Sequence, residues 1–500
     1  MRFGKEKNRP QAFNALMKKY RPRYGGMIAA GRRDSDCMKS PFDDDMTTRH
    51  HETGVCSMPS DDYLSSGAYR IGAAGPLRGD IRVTGDKSIS HRAIMLSALA
   101  EGTTSILGFL EGQDCIATLN AFHQMGIVSE KKDRHLIIHG RGLHGLQPPK
   151  DVIDMGNSGT GTRLLLGILA GQSFSTVLTG DASLRSRPMG RVTRPLSQMG
   201  AQFTPLQDGA DLPLKVQGGR LQSIQYQTPV ASAQIKSALL LASLYAEGTT
   251  EIIEPALSRD HTERMLKTFG VTLECDDLKC AIHGGQILTP REVIIPGDFS
   301  SAAFFIAAAA MIPDSDIIIR EVGINPTRTG LIDVLRSMGA KIEKLDRKYF
   351  GAEPAADIHV QYAPLHGTNI KGHTVVRMID EFPILAVAAA CASSPTVVEE
   401  AQELRVKESD RISVIVEELR KMGAVIRERE DGFEVEGGVP LHGAECFSHG
   451  DHRIAMSIAV AGLAAYGETV IRGTRPIDTS FPAFFDLLNT VSHGKAQEIR

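Results

Sequence analysis

Nine short segments of this chain combine cations, small residues and carboxylates in patterns suited to anion chemistry. The first is Gly85-Asp86-Lys87-Ser88-Ile89-Ser90-His91-Arg92. It predicts a helix start with Ser88 as N-cap, and with Ser88 and Arg92 four apart on one face. A helix N-terminus offers free N–H groups and the positive end of a dipole, to which Lys87 and Arg92 add two full charges. That suits a phosphate or a carboxylate. The second segment, Gly156 to Arg163, is glycine-rich and opens the apolar run Leu164–Leu169. Its G-x-x-G-x-G spacing fits neither a Walker loop nor the dinucleotide fingerprint, but its N–H groups can cradle an anion. A capped helix start and a tight turn are the ordinary alternatives for these two. The third segment, Gly180 to Arg191 with Arg194 beyond it, packs Arg185, Arg187, Arg191 and Arg194 before a helix. Ser232-Ala233-Gln234-Ile235-Lys236, Ser258 to Arg264 and Asn325 to Gly330 are the fourth, fifth and sixth.

Three more segments carry acids. Met378-Ile379-Asp380-Glu381-Phe382-Pro383 opens the run Ile384–Cys391, Leu404 to Arg411 opens Ile412–Lys421, and Gly450-Asp451-His452-Arg453 opens Ile454–Leu463. Lys407 and Arg411 stand four apart and can face one ligand. Taken singly, each segment reads more readily as structural. All of them lie at the start of a helix, and six helix N-termini converging on one cleft make a polyanion site.

The elements that position these segments repeat along the chain. Ala100-Glu-Gly-Thr-Thr104 recurs as Ala246-Glu-Gly-Thr-Thr250, each after a helical run and before a short strand. Helices ending in Met-Gly or Phe-Gly recur at Gly126, Gly200, Gly270, Gly339 and Gly423, where glycine supplies the expected C-terminal stop. A helix-then-strand unit can be counted six times, with strands near residues 104–108, 176–179, 250–253, 317–320, 396–398 and 469–471. Six units after residue 72 are each about 71 residues long, too long for a solenoid of short repeats and suited to α+β subdomains.

Composition narrows the function classes. The chain has 500 residues, a net charge of −3, 5% aromatics and no Trp. That argues against a base-stacking nucleic-acid surface. The longest apolar run, Ala302 to Ile312, is too short for a membrane span and ends at Pro313. Seven scattered Cys read as free thiols of a reducing compartment, with no zinc site. The first 33 residues hold ten Lys and Arg against one Glu, a local +9 that leaves −12 for the rest. Residues 34–62 then turn acidic, and residues 1–72 are read as a mostly disordered extension. A targeting segment, a nucleic-acid arm, or a true start at a later Met such as Met58 are the readings of that extension.

Gly85 to Arg92, the Gly156 to Arg163 loop, Arg187-Pro-Met-Gly190, Arg405-Val-Lys-Glu-Ser-Asp-Arg411 and Asp451-His-Arg453 resemble the 5-enolpyruvylshikimate-3-phosphate (EPSP) synthase family. The resemblance covers residues 73–490 in order. Asp86, Ser232-Ala233-Gln234 and Asn325 to Gly330 are more similar to its bacterial class II branch. It implies a two-domain inside-out α/β barrel of α+β character, each domain three βαβαββ repeats. Residues 87–297 would form one domain and residues 73–86 with 298–500 the other, with the active site between them. The implied reaction moves the enolpyruvyl group of phosphoenolpyruvate to the 5-hydroxyl of shikimate 3-phosphate through a tetrahedral ketal, releasing phosphate. By the same resemblance, Lys87, Ser88, Arg92, Ser232, Ala233, Gln234, Arg259, Asp380 and Lys407 would hold shikimate 3-phosphate. Lys87, Gly159, Arg187, Arg411 and Arg453 would hold phosphoenolpyruvate. Asp380 is assigned as base and Glu408 as proton donor, with Lys87 as a catalytic electrostatic partner.

The family uses no cofactor and no metal, and the expectation is a cytoplasmic monomer without nucleic-acid or membrane partners. Two positions depart from class I members: Thr479 stands where that branch has Lys, and Leu164 where it has Pro. Gly159 implies sensitivity to glyphosate, since some class II members carry Ala there. Two alternatives compete with this reading. The sister transferase acting on UDP-N-acetylglucosamine places a Cys in the loop matching Gly180 to Arg191, and this loop has none. A nucleic-acid-binding protein of related fold gives no reason for Asp380 and Glu408.

Overall fold

A computed structural model describes residues 67–276 and 278–499. The charged N-terminal stretch up to residue 66, with Cys37, Cys56 and Met58, lies outside the described residues.

Six helices are apolar almost all round, so each must be buried on every side. They are Lys87–Leu99, Gly159–Ala170, Ala233–Ser243, Phe299–Met311, Phe382–Ala390 and His452–Ala464. All thirteen residues of Phe299–Met311 are buried. The first three build one hydrophobic core, spanning Ile89 to Ile295. The last three build a second, which draws on Ile71, Leu77, Ile81 and Val83 and on residues from Phe299 onward. Each helix has a partner later in its unit, such as Gln113–Gln124 or Arg411–Lys421, that is buried on one side only.

Six four-stranded sheets cover these helices, and all share one pattern: a parallel pair at one edge, then two antiparallel neighbours. Three sheets take a strand from far along the chain. Val293–Ile294 runs parallel to Glu101–Leu107, and Arg78–Ile81 runs parallel to Asp316–Gly323. Ala68–Gly72 lies between Glu468–Arg472 and Ala496–Ile499. The fold is therefore an inside-out α/β barrel built twice, helices within and sheets without, with six units as the sequence pattern predicted.

Five units end their second helix on the glycines named above. Gly423 shows why: its φ is +88°, a left-handed conformation that closes the helix and that a side chain would strain. The sixth unit ends instead on His493 at φ +56° followed by Gly494.

The two crossings between the cores run side by side. Gly85 bridges Gly297, Asp86 N–H donates to the Pro296 carbonyl, and Asp298 N–H donates to the Thr84 carbonyl. A Cβ on Gly85 would lie 1.8 Å from the Gly108 carbonyl oxygen, so only glycine fits.

Three expectations are corrected. Residues 68–72 form a strand rather than the end of a disordered extension. Ile71 is fully buried, and the strand is paired on both sides. The N-cap of Lys87–Leu99 is Asp86, whose Oδ1 accepts from Ile89 N–H, and Ser88 lies inside the first turn. Cys275 and Cys280 are joined in a disulfide rather than free. They are direct partners in the antiparallel pair of Leu273–Cys275 with Lys279–His283, and strand register, which sequence spacing does not give, brings them together. Cys115, Cys391 and Cys446 are free thiols.

Candidate active site

Sequence dictates the site through its caps. Asp86, Ser158, Ser232, Asp298 and Asp451 each accept a backbone N–H at the start of a central helix. Each cap fixes the direction in which the next few side chains leave the helix. Lys87, Arg163, Gln234 and Arg453 all lie within one turn or so of such a cap.

On the side of the first core, Lys87 Nζ pairs with Asp114 Oδ2 at 3.0 Å. Burial pulls the Lys87 ammonium down, and Asp114 outweighs it, leaving the pKa above its ordinary value. Arg92 is buried and donates to Thr262 Oγ1 (2.7 Å), Ser237 Oγ (2.8 Å) and the Ser88 carbonyl (2.8 Å). Burial lowers it to about 10, so it remains charged at neutral pH. Ser232 Oγ caps Ala233–Ser243 through Ile235 N–H. Gln234 ties that helix to the glycine-rich loop: it donates to Thr160 Oγ1 (3.0 Å) and accepts from Arg163 Nη1 (2.8 Å). Arg187 is held by Ser183 Oγ at 2.9 Å and by Asn157 Oδ1. A Cβ on Gly159 would lie 3.0 Å from Arg187 Nη1.

On the side of the second core, Arg411 is the hub. It is 1% exposed and pairs with Asp451 (2.7 Å), Asp380 (3.2 Å) and Glu408. Arg453 Nη1 donates to the Asp380 carbonyl at 3.2 Å. Two ion pairs then join the sides at these carboxylates: Arg259 to Asp380 at 2.7 Å, and Arg187 to Glu408 at 3.7 Å. A third, Arg191 to Glu403 at 2.9 Å, lies at a more exposed position.

Asp380 and Glu408 are both ionised in this arrangement. Burial raises each carboxyl, but the surrounding cations win and hold both well below the usual range. For Asp380 these are Arg453, Arg259, Lys407 and Arg411; for Glu408, chiefly Arg411 and Arg187. Burial lowers Lys407. The structure thus brings Lys87, Gly159, Arg187, Arg259, Asp380, Lys407, Glu408, Arg411 and Arg453 into one network. Arg92 donates to neighbours within the first core, and Ser232 caps its own helix.

Sequence reasoning passed over Asp114, Asp451 as partner of Arg411, Glu403 and Arg163. Asp114 had a signal, since it lies in the first turn of the second helix of its unit. The others depend on contacts between distant segments. One group of metal-type ligands gathers among the described residues, Glu417, Glu418 and His449, and Lys421 Nζ already sits on both glutamates (2.9 and 2.7 Å).

Two cores of buried helices with this cross-cleft network have the fold of the enolpyruvyl transferases. An enolpyruvyl transferase, NikO of Streptomyces tendae, superposes with a TM-score of 0.71 at 18% identity, covering 87% of this chain and 99% of that one. An EPSP synthase structure from Acinetobacter baumannii gives a TM-score of 0.78 at 46% identity, covering 87% of this chain and all of that one. The 3-phosphoshikimate 1-carboxyvinyltransferase of Desulforamulus reducens is 53% identical over 416 residues, 83% of this chain and 97% of that protein. That of Geobacter metallireducens is 52% identical over 425 residues, 85% of this chain and 99% of that protein. The profile of EPSP synthase (3-phosphoshikimate 1-carboxyvinyltransferase) matches residues 71–488, and the chain belongs to that family.

Proposed function

We propose that this protein transfers the enolpyruvyl group of phosphoenolpyruvate to the 5-hydroxyl of shikimate 3-phosphate, with release of phosphate. The observation that carries this reading is the convergence of two ionised carboxylates, Asp380 and Glu408, on Arg411 and on arginines of the opposite core. The two substrates together bring roughly −5 to −6 charges, with each phosphate at about −1.5 to −2. Lys87, Arg92, Arg187, Arg259, Lys407, Arg411 and Arg453 supply the answering charge.

In this reading Ser88, Arg92, Ser232, Ala233, Gln234 and Arg259 hold shikimate 3-phosphate, with Lys87, Asp380 and Lys407 around it. Gly159, Arg187, Arg411 and Arg453 hold phosphoenolpyruvate beside Lys87. Asp380 takes the proton of the 5-hydroxyl, and Glu408 delivers one to the enol methylene. The two cores act as two domains, residues 87–297 and residues 73–86 with 298–500, and Ala68–Gly72 joins the second.

The ionised state of Glu408 adds a condition. It can donate a proton only after acquiring one. Phosphoenolpyruvate draws Arg187 and Arg411 onto its own anions and brings like charge near Glu408, and both changes raise the carboxyl. Binding of phosphoenolpyruvate to the shikimate 3-phosphate complex is therefore expected to take up a proton. Calorimetry in two buffers of different ionisation enthalpy, on the slow Asp380→Asn variant so that binding heat is not mixed with turnover, reads this; heats that differ between buffers by no more than the protonation of phosphoenolpyruvate itself would contradict it.

Gly159→Ala places its methyl against Arg187 Nη1. The expected outcome is a KM for phosphoenolpyruvate raised a few-fold and weaker inhibition by glyphosate, with the KM for shikimate 3-phosphate little changed. Steady-state kinetics with glyphosate titrated against phosphoenolpyruvate checks this. Inhibition of the parent that stays weak at high millimolar glyphosate would refute its sensitivity.

Phosphate release tests the function itself. It should require phosphoenolpyruvate and shikimate 3-phosphate together. Release with UDP-N-acetylglucosamine in place of shikimate 3-phosphate would overturn the reading.

A further inference from the structure

The helix-start segments Ser258 to Arg264 and Asn325 to Gly330 contribute only Arg259 to the network around Asp380. Asp260, His261, Asn325 and Arg328 meet where the chain crosses between the cores. Asn325 Nδ2 donates to Asp260 Oδ1 (2.6 Å) and to Glu353 Oε2 (3.2 Å). His261 Nδ1 lies 2.8 Å from Glu353 Oε1, so the proton on that nitrogen leaves Nε2 free to accept. Arg328 Nη1 lies 3.2 Å from that Nε2.

Arg328 is the centre of this cluster, with a side chain only 3% exposed. Nη1 donates to Asp86 Oδ2 at 3.1 Å, and Nη2 to Asp298 Oδ1 (3.3 Å) and Ser300 Oγ (2.7 Å). Asp86 and Asp298 are the last residues of the two crossings and cap Lys87–Leu99 and Phe299–Met311. Asp298 Oδ2 also accepts the backbone N–H of Lys87 at 3.0 Å. The Ser300 hydroxyl donates to the carboxylate of Glu381, the neighbour of Asp380 in the chain. One rigid guanidinium is thus two hydrogen bonds from the backbone of Lys87 and two from the residue beside Asp380.

We propose that Arg328 is a positioning residue: by holding Asp86, Asp298 and Ser300 together it sets the placement of Lys87 relative to Asp380 across the cleft. The inference rests on the functional reading above. A planar fork with fixed donors suits three partners at once, and an ammonium cannot reproduce it. Most of the shikimate 3-phosphate contacts assigned above, those of Arg92, Ser232, Ala233, Gln234 and Arg259, lie within one core; only Lys87 with its neighbour Ser88, and Asp380 and Lys407 opposite, depend on this alignment, so affinity should fall far less than kcat. The chemical step needs both sides, and a misplacement near 1 Å costs about 10²-fold in rate.

The test uses the full chain carrying Arg328→Lys, Arg328→Met or Ser300→Ala, with kcat, both KM values and calorimetric affinity for shikimate 3-phosphate. Arg328→Lys is expected to lose about 10²-fold in kcat and to keep shikimate 3-phosphate affinity within about threefold. Ser300→Ala, which cuts only the arm toward Glu381, should lose about tenfold. Arg328→Met should fall below Arg328→Lys; should it fail to fold, the other two variants decide. A folded Arg328→Lys or Ser300→Ala with parental kcat overturns the inference, as does shikimate 3-phosphate affinity that falls in step with kcat. A parent without phosphate release overturns the functional reading as well, whereas an active parent with indifferent variants overturns this inference alone.

Discussion

Arg411→Met is expected to remove about 3–5 kcal/mol of stability and to abolish activity. Arg411 is 1% exposed, and three carboxylates converge on it: Asp380, Glu408 and the fully buried Asp451. Methionine fills much the same space, so the cost is electrostatic. It leaves three anions close together with fewer countercharges in a medium that solvates them poorly. The pH dependence follows from the lowered pKa values of Asp380 and Glu408. A carboxyl lowered on folding contributes stability that is present above its unfolded value, near 4, and is lost as pH falls through the still lower folded value. The deficit of Arg411→Met should therefore be largest at neutral pH and shrink below about pH 4, where the anions protonate. Urea midpoints of parent and variant, measured across that range, check both the size and the sign. A deficit independent of pH would contradict the assignment.

The second large effect concerns the two carboxylates proposed to move protons. Asp380→Asn and Glu408→Gln are each expected to lower kcat by about 10²–10⁴, with smaller changes in KM. The amides keep shape and part of the hydrogen bonding, so loss of proton transfer dominates. Glu403→Gln is the matched control. Glu403 also pairs with an arginine of the other core, but its side chain is 32% exposed. An ion pair so exposed is worth at most about 1 kcal/mol. Steady-state kinetics of the three variants should separate sharply. Near-parental kcat in Asp380→Asn or Glu408→Gln would remove that residue from the mechanism.

How far the sequence foretells this site depends on the range of each interaction. Helix starts and stops are local. The glycines after the second helices, the polar first turns and the six short strands could all be read directly, and with them the placing of Lys87, Arg187, Glu408, Arg411 and Arg453 at helix entries. The first cap differs from expectation by two residues because Asp and Ser cap equally well, and the other oxygen of Asp86 is held by Arg328, 242 residues away. His493 hid the sixth helix stop because a non-glycine in the left-handed region leaves no mark in the sequence. Ala68–Gly72 is too short to stand out until its neighbours, some 400 residues on, are known. The pairing of Cys275 with Cys280 depends on strand register, and Arg259 with Asp380 on the meeting of two separate cores. Charge state was the least legible property. Glu408 reads as a proton donor by resemblance, yet Arg411 and Arg187 hold it ionised.

The central claim, enolpyruvyl transfer through protonation and deprotonation of one methylene carbon, is tested most directly by running the reaction in D2O. Phosphoenolpyruvate and shikimate 3-phosphate are supplied to the protein, and the products are followed by proton and phosphorus NMR. The account predicts one phosphate released per enolpyruvyl ether formed at the 5-oxygen, with deuterium entering the methylene group. Phosphate release without that ether, or a product methylene that stays fully protonated, would contradict it.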